Sequence, residues 1–359
     1  MYVPPAFHSR YSKGYTSIRP LMANKLTGPG LFRLFLALLV FFNHASRFQI
    51  GIGAVFVFFC LSGYWICRMY RGRYAGTRQP YLTYLVSRAW RLLPTFLLLT
   101  VIALLFLWVH GNLADYWAKS NHLHFALSNL FILGYQSLPL KPLVPAWSLD
   151  IEMQFYLIAP LLVAFLTWRK VPPALLLFAA FIVSPLSMIW LGPACLGSYI
   201  FFFLSGMVVA SSNWKPSPRV AALSFGGVAL LIVICMASPY RGVLLAGRHP
   251  GPLAVYSIWA NYVLALCMIP YAMFTTEQKG FRLDGMFADL SYIVYLLHWT
   301  VVQWMSDHLG PHRFLYAATG TVFLMVASVI IWKYYDHPIN KLRSAWVSHR
   351  KKSVVEVLA

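Results

Sequence analysis

The sequence predicts an all-α, polytopic membrane protein with about ten transmembrane helices plus one re-entrant or interfacial helix. Hydrophobic residues make up 60% of the chain and charged residues only 11%. Soluble domains carry about 25% charged residues, so this composition excludes a water-soluble globule. Apolar runs of the ~20 residues that cross a bilayer recur along the whole length.

The predicted elements fall into a tail, a membrane domain and a second tail. Residues 1–30 are polar, basic and rich in Pro and Gly, without the apolar core of a signal peptide. We expect them to form a cytoplasmic N-terminal tail, followed by a transmembrane domain at 31–343. Residues 344–359 are basic and are expected to form a cytoplasmic tail, mobile or lying on the membrane surface. The predicted spans are 31–47, 52–70, 92–109, 145–168, 173–190, 195–211, 220–237, 253–274, 286–306 and 313–333.

The stretch 123–135 is apolar but short for a crossing, so we expect a re-entrant or interfacial helix there. Orientation follows from the positive charges. With the N-terminus in the cytoplasm, 22 of the 29 Lys and Arg residues fall on the cytoplasmic side. This bias predicts two cytoplasmic termini. The excess of Lys and Arg on the cytoplasmic side also accounts for the net charge of +20, so the charge does not indicate a nucleic acid partner.

Two ionisable residues, Arg33 and His44, lie eleven positions apart in the otherwise apolar first span. Eleven steps of about 100° bring both side chains to one helix face, ~16 Å apart along the axis. An ionisable group inside a membrane helix is a functional hypothesis by default. The pair therefore predicts a polar path that leads into the protein.

The fourth span carries a buried carboxylate candidate, Glu152. Ser148, Glu152 and Tyr156 follow at intervals of four and share one helix face. Because the predicted topology puts Glu152 and His44 at similar depth, they could form a pair in which Glu152 orients a basic imidazole. A buried structural hydrogen bond between them is the alternative.

Two further features have both a functional and a structural interpretation. His298 lies in an apolar helix, where a lone histidine is more often a packing residue. The second feature is a stripe of side chains on one face of a helix that enters from the cytoplasm, formed by Tyr81, Tyr84, Arg88 and Arg91. Two arginines beside aromatic rings suit an anionic, phosphate-bearing ligand. Basic residues at a cytoplasmic helix start are equally what the positive-inside rule expects.

Other common motifs are absent from the sequence. The five cysteines form no C-x-x-C or Cys/His cluster, so we expect no metal site. Phosphate-binding glycine loops, H-E-x-x-H and G-x-S-x-G are also absent, which disfavours a nucleotide-hydrolysing pump and a zinc protease. One short internal echo, FFCLSG at 58–63 and FFFLSG at 201–206, is attributed to coincidence or shared helix packing.

Five motifs occur in order along residues 31–343. They are Arg-x10-His at Arg33 and His44; a Leu-Ser-Gly-aromatic tetrad with Ser62, Gly63 and Tyr64; R-x-x-R-x-x-P at Arg88, Arg91 and Pro94; W-S-L-x-x-E-x-x-F-Y-x-x-x-P from Trp147 to Pro160; and L-S-Y-x-x-Y-L-x-H from Leu290 to His298. Taken together, they resemble the acyltransferase 3 family of integral membrane acyltransferases. Two positions depart from its pattern. Ser87 stands where the family often has a second arginine, which removes one contact for an anionic donor, and Asp336 replaces the glutamate of a final E-x-P-like element.

The resemblance implies O-acyl transfer, usually of acetyl from cytosolic acetyl-CoA, to a hydroxyl of a carbohydrate across the membrane. The acyl-CoA would be a co-substrate, with no permanently bound cofactor, and the location would be the bacterial cytoplasmic (inner) membrane. His44 and Glu152 would be catalytic, and Arg33, Arg88 and Arg91 would bind the donor. Many relatives carry a fused extracytoplasmic domain. The predicted elements leave no room for one in this sequence, so we expect the membrane unit to act alone or with a separate partner. The remaining expected site residues line the substrate path: Ser62, Tyr64, Trp147, Ser148, Tyr156, Tyr292 and His298.

Several alternatives stay open at this point. His44 could act as a general base or form a covalent acyl-histidine. A transporter or flippase could use the same buried charges to line a substrate or proton path. A structural or assembly subunit would predict no chemical role for His44 or Glu152. The acceptor, the acyl chain length and a homo-oligomeric state are likewise open, whereas membrane lipids are expected partners.

Overall fold

The computed structural model describes residues 28–167, 172–212, 214–245, 251–307 and 313–358. The predicted N-terminal tail lies outside these residues, except for its last three. Within the described ranges the chain is helical, with one isolated antiparallel bridge between Phe48 and Leu245. The helices are α1 (Pro29–Ala45), α2 (Gly51–Met69), α3 (Pro80–Val109), α4 (Leu113–Ala118), α5 (His122–Phe131), α6 (Trp147–Thr167), α7 (Pro173–Trp190), α8 (Ile200–Ser211), α9 (Pro218–Ala237), α10 (Ser257–Thr276), α11 (Asp284–Asp307), α12 (Arg313–Ile331) and α13 (His337–Leu358).

The membrane class predicted from the sequence is confirmed. Eight helical segments of the described chain are long and apolar enough to cross a bilayer, and two shorter apolar ones correspond to α1 and α8. Together they coincide with the ten predicted spans. Helix α5 has ten residues, about 15 Å of helix, which is too short to cross a bilayer. The apolar stretch 123–135 therefore does not span, as its length predicted.

Helices α1, α2 and α11 form the centre of the bundle. Helix α1 packs along α11 and against α2, and α2 packs in turn on α8 and α10. Helices α7, α9 and α12 lie at the periphery, where large apolar side chains such as Trp190 and Leu223 are 81% and 75% exposed. An apolar exterior of this kind fits a surface that faces lipid tails.

The start of α1 is held by an aspartate from α11. The carboxylate of Asp284 accepts hydrogen bonds from the backbone N–H groups of Gly30 and Leu31, at 3.0 and 2.9 Å. The first N–H groups of a helix have no partner within the helix, and a negative charge there also complements the helix dipole. Asp284 therefore fixes α1 against α11, which sets the position of Arg33 one turn later.

The repeated Leu-Ser-Gly sequence, at 61–63 and 204–206, lies where α2 and α8 cross. A Cβ atom on Gly63 would collide with the carbonyl oxygen of Phe203, and one on Gly206 with that of Cys60. The rings of Phe59 and Phe203 stack at 4.7 Å beside this crossing. Small residues let membrane helices approach closely. Of the two explanations offered by the sequence, the structure supports shared helix packing.

Two helices are longer than the sequence predicted. Helix α3 begins at Pro80 and has 30 residues, so the predicted span 92–109 and the predicted helical stretch that carries Arg88 and Arg91 form one continuous helix. Most of the basic C-terminal segment, expected as a mobile or surface tail, is helical and belongs to α13. Helix α13 packs against α3. Arg343 and Arg350 attach it there by donating to Ser87 and Thr83.

Candidate functional site

Three cavities follow one another beside α1. The His44 cavity has a volume of about 770 Å³ and is lined by His44 and Trp147. The Glu152 cavity, of about 460 Å³, is lined by Arg33, Ser148 and Glu152. The arginine cavity, of about 840 Å³, is lined by Arg33, Ser62, Arg88, Arg91, Glu152, Tyr156 and Arg343.

Neighbouring cavities share walls. Val55 and Tyr295 line both the His44 and the Glu152 cavity. Arg33, Glu152 and Tyr292 line both the Glu152 and the arginine cavity. The two ionisable residues of α1 therefore lie beside one row of cavities, as the shared helix face of Arg33 and His44 predicted.

His44 lies among aromatic rings at one end of this row. Its imidazole stacks on that of His298 with ring centroids 5.4 Å apart, and it meets the Trp299 ring edge-on at 5.2 Å. The other lining residues of the His44 cavity carry no formal charge at pH 7, and among them Gln49, Gln136 and Trp147 supply hydrogen-bonding groups. The cavity thus combines one basic ring with neutral polar and aromatic walls.

His298 lies behind His44 and does not line any of the three cavities. It is 0% exposed, and its Nδ1 lies 3.2 Å from the carbonyl oxygen of Val294. Since a carbonyl only accepts, Nδ1 carries the proton in this contact and Nε2 keeps its lone pair. Nε2 is buried without a hydrogen-bond partner in the described part of the chain. His298 therefore contacts the cavity walls from behind, through the rings of His44 and Tyr295.

The expected pairing of His44 with Glu152 is not found. The Oε1 atom of Glu152 accepts hydrogen bonds from Ser62 at 2.5 Å and from Tyr156 at 2.7 Å. Glu152 and His44 line different cavities, and no hydrogen bond joins them in the described structure. Glu152 instead lies with Arg33, its opposite charge, where the Glu152 and arginine cavities meet. The error arose because helix position gives depth but not the direction in which a neighbouring helix turns its side chains.

Three hydroxyl groups, those of Ser148, Tyr292 and Tyr295, belong to side chains that line the Glu152 cavity between these ends. Ser148 Oγ and Tyr295 OH lie 2.7 Å apart, and both reach the carbonyl oxygen of Pro145, at 3.1 and 3.0 Å. Tyr292 OH donates to the carbonyl oxygen of Leu92 at 2.9 Å. These bonds occupy the hydroxyls, so Ser148 and Tyr292 contribute fixed walls to the path.

The two arginines of the R-x-x-R-x-x-P motif have different surroundings. Arg91 pairs with Asp289 and Asp336, each at 3.0 Å, and Asp336 also accepts from Thr95. Its charge is thereby neutralised, although its side chain lines the arginine cavity. Arg88 is 6% exposed and donates to the hydroxyl of Tyr74 at 2.9 Å. Arg88 therefore retains a positive charge for a ligand, whereas Arg91 serves mainly to join α3, α11 and the segment before α13.

Arg343 is a lining residue that the motif analysis did not single out. It is 8% exposed, and its Nη1 donates to Ser87 Oγ at 3.1 Å. The sequence analysis expected Ser87 to remove a cationic contact. In the structure this serine accepts from a guanidinium that arrives from α13. Pairing positions 256 residues apart cannot be read from local spacing, and the basic character of the final segment was the sole available signal.

Tyr64 lies elsewhere than predicted. It is 1% exposed and lines none of the three cavities. Its hydroxyl donates to Glu277 at 2.6 Å and accepts from Arg68 at 2.6 Å. The hydrogen bond from Tyr64, followed by that from Lys215, lowers the pKa of Glu277. Tyr64 thus belongs to a charged cluster that joins α2 and α10 with the segment after α8.

The remaining predicted residues lie along the row of cavities. Ser62 and Tyr156 line the arginine cavity, Ser148 the Glu152 cavity and Trp147 the His44 cavity. Within the described ranges, no group of three or more His, Cys, Asp or Glu side chains is arranged to hold a metal ion. The row of cavities thus runs from a wall rich in arginine to one that contains the imidazole of His44.

Comparison with known proteins agrees with this arrangement. A family model described as an acyltransferase domain matches residues 26–333. The chain is 30% identical over 341 residues to the O-acetyltransferase OatA of Staphylococcus aureus, an alignment that covers 85% of this chain and 55% of the relative. It is 25% identical over 283 residues to the peptidoglycan O-acetyltransferase OatA of Listeria monocytogenes, covering 70% of this chain and 45% of the relative.

The matched region spans about half the length of these relatives. No solved structure matches the chain. The family model nevertheless covers most of the sequence and includes His44 and Glu152, whereas α13, which supplies Arg343 to the arginine cavity, lies beyond it. The chain belongs to the acyltransferase family of multi-pass membrane proteins.

Proposed function

We propose that this protein is a membrane O-acetyltransferase that moves an acetyl group from acetyl-CoA to a carbohydrate hydroxyl on the other side of the membrane. The row of three cavities carries the proposal, because it links a cationic chamber to an imidazole beside one helix. The Listeria monocytogenes relative is named a peptidoglycan O-acetyltransferase, which makes a peptidoglycan glycan the first acceptor to test.

In this proposal the arginine cavity faces the cytoplasm. Basic residues gather at this end of the bundle, including Arg68, Arg71 and Arg73 beside the end of α2, and cytoplasmic loops of membrane proteins are rich in Lys and Arg. Both termini would then be cytoplasmic, and the membrane would be the bacterial inner membrane. The His44 cavity would face the opposite compartment, where the glycan acceptor arrives.

The donor would enter with its phosphates among the arginines and its acyl end toward His44. Arg88 offers a buried guanidinium to a phosphate, and Arg–phosphate pairs are strong and directional. Arg33 lies farther along the path with Glu152 as its counter-charge, so it would guide the neutral pantetheine arm without trapping a phosphate. Along α1, the distance from Arg33 to His44 is ~16 Å, which an extended arm would cover through the Glu152 cavity.

The chemistry would take place in the His44 cavity. The imidazole of His44 would accept the proton of the acceptor hydroxyl while the oxygen of that hydroxyl attacks the carbonyl carbon of the thioester. The carbon–sulfur bond then breaks, the sulfur leaves as a thiolate, and the imidazolium returns the proton to give the free thiol. Such proton transfer is worth about 10²–10⁴ in rate. If His44 instead forms an acetyl-imidazole first, the same atoms balance in two steps.

The decisive test is acetyl transfer by the purified full-length chain in proteoliposomes. Labelled acetyl-CoA is supplied on one side and soluble peptidoglycan fragments on the other, and ester products are identified by mass spectrometry. We expect an O-acetylated glycan and free CoA in equal amounts. Movement of a glycan without new ester would favour the carrier alternative and contradict the proposal.

A further inference from the structure

Four arginines line the arginine cavity, and three of them, Arg33, Arg88 and Arg343, have no carboxylate within 4.0 Å among the described residues. Arg88 and Arg343 are 6% and 8% exposed and both line the cavity. Neither lies within 4.0 Å of a carboxylate in the described part of the chain, whereas Arg91 in the same wall pairs with two. A buried charge without a counter-charge is strongly unfavourable unless something compensates for it.

Neutral hydroxyls connect these two cations. Arg343 Nη1 donates to Ser87 Oγ at 3.1 Å, Ser87 Oγ lies 2.9 Å from Tyr74 OH, and Arg88 Nη2 donates to Tyr74 OH at 2.9 Å. The chain of bonds fixes both guanidinium groups but leaves their charges unbalanced. The Nε atom of Arg88 is buried and has no hydrogen-bond partner among the described residues. An anion in the cavity would supply both the missing charge and the missing acceptor.

The position of Arg343 is also fixed from its own helix. Its Nε donates to Asn340 at 3.1 Å, and Asn340 Nδ2 donates to Asp336 at 2.9 Å. A guanidinium held by two such contacts is pre-organised, so little side-chain entropy is lost when a ligand binds. These hydrogen bonds hold the guanidinium of Arg343 in one place, unlike that of an arginine on a solvated surface.

We propose that Arg88 and Arg343 form one phosphate-binding site, in which α13 supplies half of the positive charge. The ligand is a phosphate group of a nucleotide-bearing thioester; its identification with acetyl-CoA rests on the proposed function. The C-terminal helix is then part of the donor site and is not a mobile tail. Donor binding and the docking of α13 on α3 stabilise each other because they share Arg343.

The test compares two donors that differ in phosphate. Acetyl-CoA and S-acetylpantetheine present the same thioester, but only the first carries phosphates. In Arg343→Gln we expect the KM for acetyl-CoA to rise about tenfold or more, as loss of a charge-assisted contact predicts. We expect kcat for acetyl-CoA to stay within about twofold, and kcat/KM for S-acetylpantetheine to be unchanged. Lys341→Gln removes an exposed positive charge two residues away on the same helix and should change neither donor.

Two outcomes would overturn the proposal: an unchanged KM for acetyl-CoA, or an equal loss with both donors. Arg343→Lys guards against misfolding because it keeps the charge and should lie between wild type and Arg343→Gln. Calorimetry with CoA alone separates this inference from the proposed function, since it needs no turnover. Weaker CoA binding in Arg343→Gln supports the site even if no acceptor is acetylated, whereas equal binding in both contradicts it.

Discussion

His44 supplies the imidazole among the side chains that line the His44 cavity, and an imidazole nitrogen can both take and return a proton. The structure gives it a stacked imidazole, His298, in place of the carboxylate that the sequence analysis expected. His298 is fully buried and fixed by its own helix, so it restricts the ring of His44 by packing. We regard His298 as a positioning residue.

Replacement of His44 by alanine should reduce acetyl transfer by at least about 10²-fold, because the general base is lost. The loss should appear in kcat, while CoA binding at the distant arginine cavity remains near the wild-type value. Transfer assays and calorimetry on the same preparation measure the two quantities. His110→Ala, at the exposed end of α3, is the control and should be fully active. Substantial residual activity in His44→Ala would contradict the assignment.

Glu152→Gln separates the observed from the expected role of this carboxylate. Glutamine can still accept from Ser62 and Tyr156, but it removes the charge opposite Arg33. We expect kcat/KM for acetyl-CoA to fall about tenfold or more, since Arg33 becomes an uncompensated charge in the path. The pH dependence of kcat should keep its wild-type shape, because Glu152 does not contact His44. A shifted pH profile would instead support the orienting role.

Between elements, the crossing of α2 and α8 determines where Ser62 lies. Gly63 and Gly206 bring the two backbones together, and Ser62 precedes Gly63 and donates to Glu152. A shift of α2 against α8 at Gly63 would therefore also move Ser62 and disturb its hydrogen bond to Glu152. The repeated Leu-Ser-Gly sequence is therefore explained by close helix packing, and this packing also places Ser62 where it can donate to Glu152.

Gly63→Ala and Gly206→Ala should each destabilise the protein by about 1–3 kcal/mol, because the added methyl group forces the backbones apart. Gly226→Ala on α9 is a matched control, since a Cβ there meets no atom within 4 Å. That variant should be neutral or stabilising by about 0.5–1 kcal/mol, as expected for a helical glycine. Thermal unfolding in detergent compares the three. Equal behaviour of Gly63→Ala and Gly226→Ala would rule out the proposed contact.

For the whole molecule, the row of cavities separates the arginines that would bind the proposed donor from the imidazole that would react with it. Central helices carry this path, while the peripheral helices α7, α9 and α12 present apolar side chains outward. The Glu152 cavity, which shares walls with both of the others, has the smallest volume of the three. In the proposed function, acetyl transfer across the membrane would use a passage whose walls are shared between neighbouring cavities.

Val55 lines both the His44 and the Glu152 cavity, so a larger side chain there should close the passage. We expect Val55→Phe to lower kcat about tenfold or more while CoA affinity stays within about twofold, because the arginine cavity is untouched. Val101→Phe adds the same volume at an exposed position of α3, 53% exposed, and should behave like wild type. Unchanged turnover in Val55→Phe would mean that the thioester takes another route.

The sequence by itself determined the membrane class, the positions of the ten apolar helices (eight of them long enough to cross a bilayer) and the shared face of Arg33 and His44. These depend on local quantities, namely hydropathy over about 20 residues and the 3.6-residue period of a helix. The tertiary structure alone decided that Glu152 lies opposite Arg33, that two aspartates neutralise Arg91, and that Arg343 reaches Ser87 from 256 positions away. Such pairings depend on how helices cross and rotate against one another, and small residues far apart in sequence set those crossings.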